Sequence, residues 1–198
     1  MHEKKMSRNY KENIQMNKGI IIWLNGVSSS GKTTLTRVLQ KKLEEPYYWL
    51  ANDTFCDMSP EKLWDIDASE AEYQALSMLN HTIKLFSDMG KNIIVDHVLI
   101  STQKGDLLKK SVDLLHEYPV LFVHVVCPID ELRRREIERG DRNIGQAESQ
   151  LTILNPQETY DITVDTYENT VEECADEIIK MLGMADCYSA FKILKNQL

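Results

Sequence analysis

The stretch Gly26-Val27-Ser28-Ser29-Ser30-Gly31-Lys32-Thr33-Thr34 carries the most specific chemistry in the chain. Gly26 to Thr33 matches G-x-x-x-x-G-K-[ST], preceded by an apolar run and followed by a helical one, the context in which such a loop cradles phosphates. Each part has a physical task. Gly26 and Gly31 let the backbone turn and approach phosphate oxygens closely. Successive N–H groups point inward, and the N-terminus of the following helix adds positive potential. Lys32 reaches the outer phosphates, and the Thr33 hydroxyl is suited to Mg²⁺. Val27, the three serines and Thr34 complete a small loop. The expectation is an ATP site running from Gly26 to Thr34.

Two carboxylates stand where a phosphate site needs them. Asp96 ends the run Asn92 to Val95, where it can hold Mg²⁺ through water, accept a proton, or simply cap a loop. Asp53 follows the run Tyr47 to Ala51. It can take the proton of a hydroxyl acceptor, or it can form a turn. His97, beside Asp96, reads first as a structural histidine. The densest basic cluster is Arg133-Arg134-Arg135 with Arg139-Gly140-Asp141-Arg142. On a helix Arg135 and Arg139 share a face, with Arg142 three residues on. Their forks suit phosphate oxygens, while Glu131–Arg135 and Glu138–Arg142 are also i,i+4 pairs. Gly140 and Gly145 bracket a segment that can hinge, as a closing lid requires.

The elements that must position these groups follow from periodicity. Five short runs read as strands: Ile20 to Leu24, Tyr47 to Ala51, Asn92 to Asp96, Leu121 to Val126 and Ile162 to Val164. Helical segments lie between and after them, at Thr33 to Leu43, Ser69 to Met89, Thr102 to Glu117, Ile129 to Arg139 and Thr170 to Leu182. Alternating strands and helices predict an α/β fold, a five-stranded parallel sheet with helices on both faces and an arginine-bearing lid. Ligands of such sheets bind at the carboxyl ends of the strands. Residues 1–18 read as a polar N-terminal arm, residues 19–183 as a kinase-type domain, and residues 184–198 as a C-terminal extension of unread role.

Composition narrows the partners. The net charge of −8 disfavours phosphate backbones, so no nucleic acid is expected. The longest apolar run, Gly19 to Leu24, is far too short for a bilayer. The N-terminal arm lacks the apolar core of a secretory signal. The four cysteines fit no zinc pattern and read as reduced thiols, so a cytoplasmic protein is expected. A homo-oligomer is compatible with all of this.

Several pieces together resemble the chloramphenicol phosphotransferase-like family of P-loop kinases. They are LNGVSSSGKTT, the strand end at Asp53, IIVDHVL, the stretch from Cys127 to Arg142 ending in GDR, and YDITVDT from Tyr160 to Thr166. The resemblance implies a P-loop kinase fold and transfer of the ATP γ-phosphate to a hydroxyl of an antibiotic-like small molecule, with antibiotic resistance as a context. It implies Asp53 as the catalytic base, Lys32 and Thr33 in phosphate and metal roles, and Arg135, Arg139 and Arg142 as phosphate contacts. The chain departs from the family pattern at Asn155, where a histidine is frequent. Other readings stand beside this one: a nucleotide or adenylylsulfate-type kinase, and a P-loop ATPase switch. No N-K-x-D base-reading motif is present.

Overall fold

The structure, a computed structural model, describes residues 17–102, 105–140, 144–154, 159–184 and 188–198. At its centre are β1 (Ile21–Asn25), β3 (Asn92–Asp96) and β6 (Val120–Val126). Their side chains are almost all apolar and buried, as strands covered on both faces must be. β2 (Tyr47–Ala51) and β7 (Ile162–Asp165) lie at the edges, giving the order β2-β3-β1-β6-β7 with every pairing parallel. The five strands fall where the apolar runs predict them.

Alternation along each strand sends side chains to two separate cores. Ile22 and Leu24 pack under α1 (Lys32–Lys42) and α7 (Val171–Leu182) through Leu35, Leu39, Cys174 and Ile178. Ile21 and Trp23 face the other way. There α3 (Glu61–Asp88), α4 (Leu107–Leu115) and α8 (Ala190–Gln197) contribute Leu79, Ile83, Val112, Leu115 and Leu194. α8 is part of this core: the Phe191 ring lies 5.0 Å from Phe122 and 5.8 Å from Trp23. The Asp161 carboxylate accepts the Ser189 and Ala190 N–H groups at 2.8 and 2.9 Å, which fixes the start of α8 on the sheet.

The structure differs from the sequence reading in several places, one of them a helix over Gln146–Ile153 that the periodicity does not predict. The helix expected over Thr102 to Glu117 begins only at Leu107, where Asp106 caps it by accepting from the Lys109 N–H at 3.0 Å. Before it, β4 (Ser101–Thr102) and β5 (Gly105–Asp106) pair antiparallel. The segment after Asn52 is helical from its start. It forms α2 (Asn52–Asp57), a short turn, and then α3 from Glu61. Asp67 interrupts α3 with extended backbone (φ −157°, ψ 95°), which splits the apolar periodicity that marks only its second part.

Register then sets the site. Leu24 pairs with Asp96, and Ala51 pairs with Asp96 on its other side, so three neighbouring strands end in one row. The Gly26–Thr34 loop, Asp96 and Asp53 therefore issue from the same carboxyl edge of the sheet, where ligands of open parallel sheets bind.

Candidate active site

The loop between β1 and α1 is a built cradle. A Cβ on Gly26 would stand 2.4 Å from the Val125 carbonyl oxygen, so only glycine fits. Gly31 at φ +98° and Ser29 at φ +62° are left-handed, which turns successive N–H groups inward. The Ser29 and Ser30 hydroxyls are buried without a hydrogen-bond partner among the described residues. Lys32 folds back and donates to the Val27 carbonyl at 2.9 Å. Val27 itself is buried against Leu132 and Ala147, beneath α5 (Ile129–Arg139) and α6 (Gln146–Ile153).

Thr33 donates its hydroxyl to Asp96 Oδ2 at 2.7 Å. That contact joins the helix side of the loop to the end of β3. Asp96 is 8% exposed, and the next residue, His97, is 5% exposed. Burial, then the Lys32 charge, push the His97 pKa down to about 3, against a smaller upward pull from Asp53. The imidazole is thus neutral at ordinary pH. Its Nδ1 has no hydrogen-bond partner among the described residues.

The loop is also braced from β7. Thr166 donates to the Ser30 carbonyl at 2.8 Å, and its methyl group lies where a Cβ on Gly31 would come within 3.3 Å. Arg135 grips Thr166 twice, with Nη1 to the hydroxyl at 3.0 Å and Nη2 to the carbonyl at 2.9 Å. Its Nε donates to Glu131 at 2.7 Å. Hydrogen bonds from Arg134 and Arg135 hold the Glu131 pKa down to about 2. From α6, Gln150 accepts the Ser28 N–H at 2.6 Å. α6 is in turn tied to α5 by buried Glu136, whose carboxylate accepts the Gly145 and Ala147 N–H groups at 2.9 and 2.7 Å.

A cavity of about 550 Å³ opens over these groups. Ser28, Ser29, Gly31, Lys32, Thr33 and Thr34 line it, and so do Asp53, Asp96, Arg135 and Arg139. Gly26, Val27 and Ser30 lie beneath the loop rather than on its open face. Asp53 occupies the first turn of α2 and is exposed. Arg133 and Arg134 point elsewhere. Arg133 pairs with Asp130 and Glu148, and Arg134 with Glu131 and Glu138. Arg142 and Asn155 lie outside the described residues. The sequence reading missed Gln150, Glu136 and the bracing role of Thr166, although Thr166 ends the quoted YDITVDT motif.

The residues fit the groups that the loop implies. The left-handed turns, the cavity-lining Ser29 and the lysine suit a polyphosphate. Among the described residues no three His, Cys, Asp or Glu side chains gather to hold a metal. Mg²⁺ needs no such cage, because it keeps several waters and takes one or two carboxylates plus phosphate oxygens. Thr33 and Asp96 are a donor set of that kind. No helix among the described residues is long and apolar enough to cross a membrane.

Residues 19–183 match the family described as chloramphenicol phosphotransferase-like protein. An adenylyl-sulfate kinase of Clostridium acetobutylicum is 30% identical over 191 residues, covering 91% of each chain. A Mycobacterium tuberculosis protein provisionally named an O-phosphotransferase is 29% identical over 206 residues, covering 92% of this chain and 90% of that one. The solved M. tuberculosis APS kinase, in complex with AMPPNP and APS, has a TM-score of 0.64 at 19% identity and covers 84% of this chain and 98% of its own. That likeness bears on the fold, which is the P-loop kinase fold that the element order predicts.

Proposed function

The chain belongs to the chloramphenicol phosphotransferase-like family, and from that premise we propose that it is an ATP-dependent phosphotransferase, moving the γ-phosphate to a hydroxyl of a small molecule. The observation that carries this reading is one cavity lined by Lys32, Thr33 and Asp96 and also by Asp53. The loop N–H groups and Lys32 bind the phosphates. Asp53 accepts the proton of the acceptor hydroxyl as its oxygen bonds to phosphorus and the bond from phosphorus to the ADP oxygen breaks. Arg139 meets the charge that builds on the transferred group, while Arg135 holds Thr166 and the loop in place. Mg²⁺, bound by Thr33 and Asp96, would neutralise phosphate charge.

A second reading, transfer to adenylyl sulfate, is supported by the name of the Clostridium relative. One experiment tests both. The protein is incubated with ATP, Mg²⁺ and a panel of hydroxyl-bearing metabolites and antibiotics that includes adenylyl sulfate. Mass spectrometry then reports which compound gains phosphate. The expected result is one phosphorylated class and ADP release that depends on it. Lys32→Ala should lower that turnover by at least about 10²–10³-fold, the cost of losing one transition-state charge contact. ADP release that no acceptor accelerates would favour an ATPase switch and overturn the proposal.

A further inference from the structure

The cavity divides by charge. Its described cations, Lys32, Arg135 and Arg139, belong to α1 and α5. Apart from Asp96, its carboxylates belong to α2 and α3: Asp53, Asp57 and Glu72. These three act together on the Cys56 thiol between them, whose pKa burial and their charges raise to about 11. Among the described residues, no cation of α2 or α3 lines the cavity beside these three carboxylates.

Phosphoryl transfer as proposed above uses Asp53 and Asp96. It gives no task to Asp57 or Glu72. Neither makes a hydrogen bond or ion pair with another described residue. Glu72 stands at the cavity rim, exposed on one side, with enough protein around it that desolvation raises its pKa. Solvent answers both carboxylates in the free protein, and together they set the charge that this side of the cavity presents to a ligand. A third group that lines the cavity stands just after β3. His97 is 5% exposed, and its Nδ1 is unpaired among the described residues. A cavity-lining imidazole with an unpaired nitrogen, in the same cavity as these carboxylates, suits a hydroxylated ligand with a positive charge.

We infer that the acceptor carries a protonated amine beside the hydroxyl that is phosphorylated, as in an amino sugar or an aminocyclitol, with Asp57 and Glu72 receiving the ammonium. This rests on the phosphotransferase reading and narrows it. An anion such as adenylyl sulfate would set its charge against this wall, so the same carboxylates that select an amine reject it.

The test reads binding, so that it does not depend on transfer. The protein saturated with AMPPNP and Mg²⁺ is titrated by calorimetry with two matched pairs, D-glucosamine against D-glucose and streptamine against scyllo-inositol. A charge-assisted contact should make the aminated member of at least one pair bind about tenfold more tightly or better. The double variant Asp57→Asn/Glu72→Gln should shrink that ratio to about threefold or less. If the double variant fails to fold by circular dichroism, either single amide variant serves, with a partial loss expected. Equal affinities within both pairs overturn the inference. So do tighter binding of the neutral members, binding of none of the four, tighter binding of adenylyl sulfate, or an amine preference that survives the variants. An aminated probe that binds with the expected preference but gains no phosphate would count against the transfer reading alone.

Discussion

The loop from Gly26 to Thr34 and the wall formed by α2 and α3 face one cavity, and they are built in opposite ways. The loop works through its backbone. Left-handed turns, a glycine with no room for a Cβ and inward N–H groups make a site that would serve any polyphosphate. It is braced from three sides by Asp96, Thr166 and Gln150. The α2–α3 wall works through side chains. Asp53, Asp57 and Glu72 are exposed, and no motif links them. A cradle for a constant group is held rigid, whereas a wall for a variable group is made of surface residues that can change without disturbing the sheet.

The strongest test of this division is a substitution that disables one half alone. Asp53→Asn keeps size and removes the proton-accepting charge. Acceptor phosphorylation should fall about 10²–10⁴-fold, the range for a general base. ATP affinity should stay near that of the wild type, because the cradle is carried by a different strand. Steady-state turnover and nucleotide binding, measured side by side, decide it. A loss below about threefold would return Asp53 to a turn-forming role, since Asn tolerates the same turns, and would make Asp96 the next candidate for the base. A parallel loss of ATP affinity would break the division between the two halves.

The arginines sharpen the comparison at a smaller scale. Arg139→Ala should slow transfer by about 10²–10³-fold if this cavity-lining cation meets transition-state charge. Arg134→Ala should leave turnover unchanged and cost little stability, because Arg134 spends its charge on Glu131 and Glu138 at the surface. Equal turnover in wild type and Arg139→Ala would make the whole cluster a salt-bridged helix face.

The same contrast explains what could be read from the residues alone. The phosphate cradle is legible because its parts are consecutive and its geometry demands glycine. The strands are legible because burial on both faces leaves continuous apolar runs such as Ile21 to Leu24. α2 and the start of α3 escape because they are polar on their open side, and Pro60 and Asp67 break the helical period. Gln150 and Thr166 escape for another reason. They act on loop residues 122 and 136 positions away, a proximity that only the folded sheet creates. Arg135 shows the limit of spacing arguments. It shares a helix face with Arg139, but its fork is largely taken up by Thr166 and Glu131.

His97 sits at the seam between the two halves, where burial first and then the Lys32 charge lower its pKa and Asp53 pulls it up. Its folded pKa is about 3, against 6.5 for an unperturbed imidazole. The sign follows from proton counting. Below pH 6.5 the unfolded chain binds a proton at this position that the folded chain refuses until about pH 3, so stability falls as pH drops through that window. Going from pH 7.5 to pH 5, the loss from this one group should be about 2 kcal/mol. Other titrating groups respond to the same pH change and obscure the effect in wild type alone. His97→Phe removes this group and leaves the others, so the difference between the two pH profiles isolates it. Urea unfolding midpoints of both proteins at pH 7.5 and at pH 5 supply the measurement. The wild type should lose about 2 kcal/mol more than the variant over that interval, whatever Phe does to stability at either pH. Profiles that stay parallel would mean that the folded protein accepts the proton as readily as the unfolded chain. His97 would then be solvated, and the dry seam between cradle and wall would not exist.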